Sequence, residues 1–101
     1  MRFEEHCRRC NDVLGAPFPE VHLWIDELAH VHTASGIRFN TEHRKHRHNM
    51  VGIEQVRARW GDRAASAAAL HVLDDIYGPV PHSVNHVIPL DEADYVRKGC
   101  Y

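Results

Sequence analysis

The sequence predicts an all-α protein, a compact bundle of three main helices with an irregular N-terminal segment and a short C-terminal strap or helix. Three observations carry that prediction. Apolar residues recur at spacings of three and four in three separate stretches. Glycine and proline punctuate the gaps between those stretches. No internal repeat, low-complexity tract or long linker divides the chain, so residues 1–101 are expected to form a single helical domain.

Residues 1–17 read as irregular and end in Gly15-Ala16-Pro17. Pro19 then suits the first turn of a helix reaching about Ala29, with Val21, Ile25 and Leu28 as its core stripe. Ile37 to Asn40 reads as extended, and Asn40 or Thr41 is the expected N-cap of a longer helix from about Glu42 to Trp60. The apolar face of that helix is His46, Met50, Ile53, Val56 and Trp60. Gly61-Asp62 breaks it, and an alanine-rich helix runs from Arg63 to Tyr77 until Gly78-Pro79-Val80-Pro81 stops it. Val84 to Leu90 reads as a short strand or extended strap, and Asp91 to Lys98 as one or two terminal helical turns.

A content of 44% hydrophobic and 26% charged residues is that of an ordinary globular protein rather than a disordered one. The longest apolar stretch, Ala67 to Leu73, is interrupted by His71 and falls far short of the roughly 18 residues a membrane span needs. The first ten residues carry charges where a signal peptide has its apolar centre, so a cytoplasmic location is expected. Three cysteines are too few for a disulfide scaffold and fit a reducing compartment. A formal net charge of −2 argues against a general nucleic-acid-binding surface, although Arg44, Lys45 and Arg47 concentrate positive charge locally. Ten histidines are the outstanding feature.

Those histidines fall into patterns. His22 with Asp26 and His71 with Asp75 are two His-x-x-x-Asp spacings on helical segments, and four residues apart means one helical face. An imidazole nitrogen and a carboxylate oxygen offered together suit a divalent ion such as zinc, manganese or iron; the same spacing also suits an ordinary ion pair. The run His43, Arg44, Lys45, His46, Arg47, His48 adds candidate ligands and cations. His48 points toward the side marked by Gly52, where another backbone can approach closely, and Arg44 and Arg47 are spaced to fork an anion. His6, Cys7 and Cys10 form a single C-x-x-C with an adjacent histidine, a secondary metal candidate that lacks a second cysteine pair. Val84 to Leu90 looks like the strand half of an HNH-type nuclease, but the eleven residues after it contain no histidine to build the other half.

Together HRKHRHN, the following G-I, the W-G ahead of the third helix and H-V-L-D-D resemble a family of small histidine-rich proteins of unknown function encoded by bacteria and phages. That pattern has an early histidine, an I-H-x-x-x-D helix, an H-R-x-x-R-H-H block and a Q-H-x-x-x-D helix before a proline turn. The matching positions are His6; His22 and Asp26; His43, Arg44, Arg47 and His48; His71 and Asp75. The chain departs from it at Asn49, where the pattern has a second histidine, at Leu70, where it has glutamine, and at Cys7 and Cys10. The resemblance implies a shared His/Asp constellation and no substrate.

The expectation is therefore a divalent-metal-binding helical domain, zinc first and manganese or iron next. Its ligands are drawn from His22, Asp26, His48, His71 and Asp75, with His43 as a substitute. If it is an enzyme, it is a metal-dependent hydrolase of a phosphoester or other small anionic substrate held by Arg44 or Arg47. The competing class is a non-catalytic accessory factor of phage or host, in which the His/Asp pairs are structural and the helix surfaces engage a protein partner; a homodimer is compatible with either. Nucleic-acid binding through the HRKHRH segment is the third and weakest reading.

Overall fold

A computed structural model describes residues 1–27, 30–33, 36–39 and 44–99, with the side chains of 30–33, 36–39, 44 and 45 left aside. Six helices follow one another: α1 (Phe3–Leu14), α2 (Pro19–Ile25), α3 (Arg44–Arg47), α4 (Met50–Trp60), α5 (Asp62–Tyr77) and α6 (Glu92–Lys98). Between α2 and α3 the chain makes a two-stranded antiparallel hairpin, β1 (His30–Thr33) with β2 (Gly36–Phe39), in the register His30 to Phe39. The body of the molecule is the expected all-α bundle, and the hairpin is an insertion in it. No described helix is long and apolar enough to cross a membrane.

The centre is α5. Its alanines Ala64, Ala65, Ala67 and Ala68 are buried together with Leu70, His71, Val72 and Asp74, so more than half of its circumference faces protein while Arg63 and Ser66 remain exposed. Small side chains let neighbouring helices approach closely, and α1, α2 and α4 all pack on α5. They contribute Cys10, Val21, Ile25, Ile53 and Val56 to one apolar cluster. Trp24 and Trp60 lie half-buried against it, edge to face with ring centroids 6.4 Å apart.

Two expectations are corrected. The N-terminal segment is helical: Phe3, His6, Cys10 and Val13 recur at helical spacing, the Glu5 carboxylate accepts from the Arg2 amide at 3.3 Å, and Gly15 ends the helix in the left-handed region at φ 82°. The long helix from Glu42 is two helices. At His48 and Asn49 the chain leaves the helical path, and the Asn49 side chain caps α4 by accepting from the Gly52 amide at 2.9 Å. The Met50 amide turns outward to the Pro89 carbonyl at 2.8 Å, so the C-terminal strap seals the break. Residues 84–90 form that strap without a strand, which removes the nuclease-like reading. The proposed caps Asn40 and Thr41, and Leu28, lie outside the described residues.

The break explains Gly52. A Cβ there would fall on the carbonyl of Arg47, backbone against backbone with no flexible side chain to yield. Gly52→Ala is expected to cost about 2–4 kcal/mol in urea denaturation; a loss under about 0.5 kcal/mol would show that the two turns can part freely. At the other end, buried Asp94 accepts from the Leu90 amide at 2.8 Å and pairs with Lys98 and Arg97. Those partners hold its carboxyl at about 2 rather than 3.8. A depressed carboxylate stabilises the fold above its unfolded pKa and loses that contribution as pH falls through the folded value. The Leu90 amide shift is expected to titrate with a midpoint near 2, and a midpoint at the ordinary 3.8 would refute the pairing.

Candidate metal centre

Three helices and one helix break bring polar side chains together in the core. α1 supplies His6; α2 and its C-cap supply His22 and Asp26; the break between α3 and α4 supplies His48; α5 supplies His71 and Asp75. His6, His22, His48 and His71 are each at most 1% exposed, whereas the Asp26 side chain is 30% exposed. The i, i+4 spacing places His71 and Asp75 on one side of α5, as the sequence required.

The distances describe a ligand shell. His48 Nε2 lies 2.9 Å from Asp75 Oδ2 and 3.5 Å from Asp26 Oδ1; His71 Nε2 lies 3.2 Å from Asp75 Oδ2 and 3.4 Å from Asp26 Oδ2. Nitrogen and oxygen ligands about 2.0–2.1 Å from a tetrahedral ion are separated by about 3.3 Å. The four His-to-Asp distances, 2.9–3.5 Å, bracket that spacing, and one ligand atom from each of Asp26, His48, His71 and Asp75 lies within 4.8 Å of the others, a group that could hold an ion.

Proton bookkeeping sharpens this. His22 Nε2 is 3.0 Å from the Pro17 carbonyl, which can only accept, so Nε2 carries the hydrogen. Burial, with His71 and His6 nearby, pushes His22 down to about 4, so at neutral pH its other nitrogen is bare. That nitrogen, Nδ1, is 2.8 Å from His71 Nδ1, which must then donate. A neutral His71 is left with a lone pair on Nε2 that faces two carboxylates. Charge repulsion forbids this arrangement unless a cation stands between them. Burial alone would strip the ring of its proton, yet Asp26 and Asp75 raise its pKa, so without metal a proton fills the position a metal ion would take.

Burial likewise pushes His48 down to about 4 against the opposing pull of Asp75, leaving a neutral ring able to ligate. Burial would raise Asp75, but His48, His6 and His71 more than reverse it and hold the carboxyl far below its usual range. His6 stacks on His71 with centroids 3.6 Å apart, and its Nε2 reaches within 3.2 Å of the other Asp75 oxygen. The N-terminal ammonium lies 3.3 Å from that same oxygen. Among the described residues, His6 Nδ1 has no hydrogen-bond partner.

The site thus gathers His22, Asp26, His48, His71 and Asp75, as expected, in two overlapping groups: Asp26 with His48, His71 and Asp75, and His6 with His22 and His71. His6 joins the cluster, and the two thiols do not. Cys10, one turn along α1 from His6, enters the apolar core, where burial and Cys7 push it up to about 11; burial and Glu4 raise Cys7 as well. Protonated thiols are poor ligands, and no ligand cluster among the described residues includes them. Arg47 is no free anion fork either. Its guanidinium donates to the Trp24 carbonyl at 2.6 Å and to Glu27 at 2.7 Å while stacking over Trp24 at 4.1 Å. His43 lies outside the described residues, and Arg44 is described by its backbone alone. His46 is exposed and pairs with Glu92 instead of entering the core.

A second histidine network escaped the sequence reading. Asp74, next to Asp75 on α5 but turned to another side, pairs with Arg9 at 3.2 Å and with His82 Nε2 at 2.6 Å. His82 Nδ1 in turn lies 2.9 Å from His86 Nδ1. The H-x-x-x-H spacing was visible, but it sits between prolines where no helix imposes a face.

No protein-family model, curated protein or solved structure matches the chain. The site therefore stands on its own geometry. Replacing an orienting residue behind a metal ligand weakens binding by about 10–100-fold, whereas removing a ligand can abolish it. His22→Leu is expected to weaken zinc binding by about 10–100-fold in competition with a chromophoric chelator. Equal and complete loss in His22→Leu and His48→Ala would instead make His22 a ligand.

Proposed function

We propose that the protein binds one divalent metal ion, zinc before manganese or iron, through Asp26, His48, His71 and Asp75, with His22 fixing the orientation and tautomer of His71. The observation that carries this reading is the placement of His71 Nε2, 3.2 Å from Asp75 and 3.4 Å from Asp26, on a ring anchored through His22 to the Pro17 carbonyl. Two imidazoles and two carboxylates suit a borderline-to-hard ion.

Hydrolysis is the chemistry this centre best supports. Asp26 is the exposed edge of an otherwise buried shell, so water or a small substrate can reach an ion there from that edge. A bound ion of this type lowers the pKa of its water and polarises an ester oxygen. The phosphoester assignment rests on Arg44 alone, because Arg47 is committed to Trp24 and Glu27. The alternative of a non-catalytic accessory protein would keep the same cluster as a proton-bridged structural network.

The test is elemental analysis of untagged protein purified without chelator or a nickel column. About one metal per chain is expected in the wild type and none in His71→Ala or Asp75→Ala. An ion present at 100–1,000 times its dissociation constant adds about 3–4 kcal/mol of stability, or about 10–20 °C in melting temperature for a chain of this size. Chelator is expected to remove that increment. No metal as purified and no rise in melting temperature with zinc, manganese or iron would rule out the centre and leave the accessory-protein reading.

A further inference from the structure

The His82–His86 pair lies outside the buried centre, and nothing in the proposed function uses it. Its two Nδ1 atoms are 2.9 Å apart. Two imidazole nitrogens bound at right angles to one ion, at bond lengths of about 2.0–2.1 Å, stand about 2.9 Å apart, whereas a tetrahedral ion spreads them to about 3.3 Å. Both rings are held in place before any ion arrives. His82 Nε2 lies 2.6 Å from the buried Asp74 carboxylate, which can only accept. The hydrogen of a neutral His82 is therefore on Nε2, and its lone pair is on Nδ1, facing His86.

His86 is fixed by different means. Its ring lies parallel to Tyr77, with centroids 4.2 Å apart and planes 7° apart. The Tyr77 hydroxyl donates to the Val87 carbonyl at 3.1 Å and accepts from the Val87 amide at 3.0 Å, pinning the backbone next to that ring. The His86 amide donates to Ser83 at 3.0 Å and closes the turn between the two histidines. That turn faces solvent, with Val84 96% exposed and Ser83 and Asn85 exposed beside it. Carboxylate, imidazole and ion in line is the arrangement by which proteins orient and strengthen a histidine ligand.

We propose that His82 and His86 form a second metal site, beside a solvent-facing turn, for a divalent ion of tetragonal preference such as copper(II) or nickel(II), held through both Nδ1 atoms with Asp74 behind His82. In the metal-free protein one Nδ1 hydrogen bridges the pair. Binding moves the hydrogen of His86 to its Nε2, so the change is one of tautomer and needs no net loss of a proton. The remaining positions on the ion belong to water, which makes this an open, exchangeable site, unlike the buried shell. Asp74 and Asp75 are neighbours on α5, so the two sites stand on different sides of one helix and share no ligand.

The probe is copper(II) alone, titrated calorimetrically into the full chain as wild type, His86→Ala and His48→Ala. The expected result is an equivalent of copper bound by the wild type, kept by His48→Ala, and lost or weakened at least about tenfold in His86→Ala. Unchanged stoichiometry and affinity in His86→Ala would overturn the surface site; loss in His48→Ala alone would then leave the buried centre standing. Paramagnetic broadening in the wild type reads the same question without a substitution. Loss of signals at residues 82–87 supports the site, and signals there that stay sharp at saturating copper refute it, whatever happens around Asp26 and His48.

Discussion

A carboxylate that is only 2% exposed can keep its charge only if its surroundings compensate for the lost water. Asp75 is that group, and much of the architecture follows from meeting its demand. His48, His71 and His6 converge on it from the α3–α4 break, from α5 and from α1, and each of those elements must be in place for the charge to be tolerated. The requirement is chemical as much as geometric. Imidazoles can offer either a hydrogen or a lone pair, and a single backbone carbonyl at Pro17, acting through His22, decides which nitrogen of a neutral His71 keeps the hydrogen. The core of this protein is therefore an apolar cluster joined to a polar one, with α5 belonging to both.

Much of this was legible in the sequence. The alanine-rich α5, the proline start of α2, and the His-x-x-x-Asp pairs depend on local spacing and turn chemistry, which a single sequence displays directly. The parts that were not legible depend on contacts distant in the chain. Nothing local distinguishes His22 as an orienting residue from His22 as a ligand, because the difference lies in a nitrogen facing a residue 49 positions away. Arg47 looked available for an anion until α2 came alongside and occupied it. The kink at His48 and Asn49 was masked because the apolar spacing of His46, Met50, Ile53 and Val56 runs straight through it; the cue was Asn49, a favoured N-cap, followed three residues later by a glycine that no side chain could replace. Reading residues 1–17 as irregular hid the spacing of His6 and Cys10 on one helical face.

Adjacent aspartates on α5 divide the histidines between two environments. Asp75 turns inward to rings shielded from solvent, and Asp74 turns toward Arg9 and the half-buried His82. One residue of helix is about 100° of rotation, which is enough to send identical side chains to surroundings of opposite character. The same two residues therefore anchor a shell with one exposed edge and a relay that ends in a solvent-facing turn.

The proposed ligand positions also bear on the balance between the folded and the unfolded chain. His48 and Asp75 are separated by 27 residues, and Asp26 precedes both. An ion held by all three would join the ends of successive loops at a single node, and because the unfolded chain presents no preformed site, its binding would act by favouring the folded state. A chain of this length has a small core with which to offset its conformational entropy. For such a chain, a node that ties α2, the α3–α4 break and α5 together is a topological constraint as well as a chemical centre. Its loss would loosen the connectivity of the whole molecule before any single contact was broken.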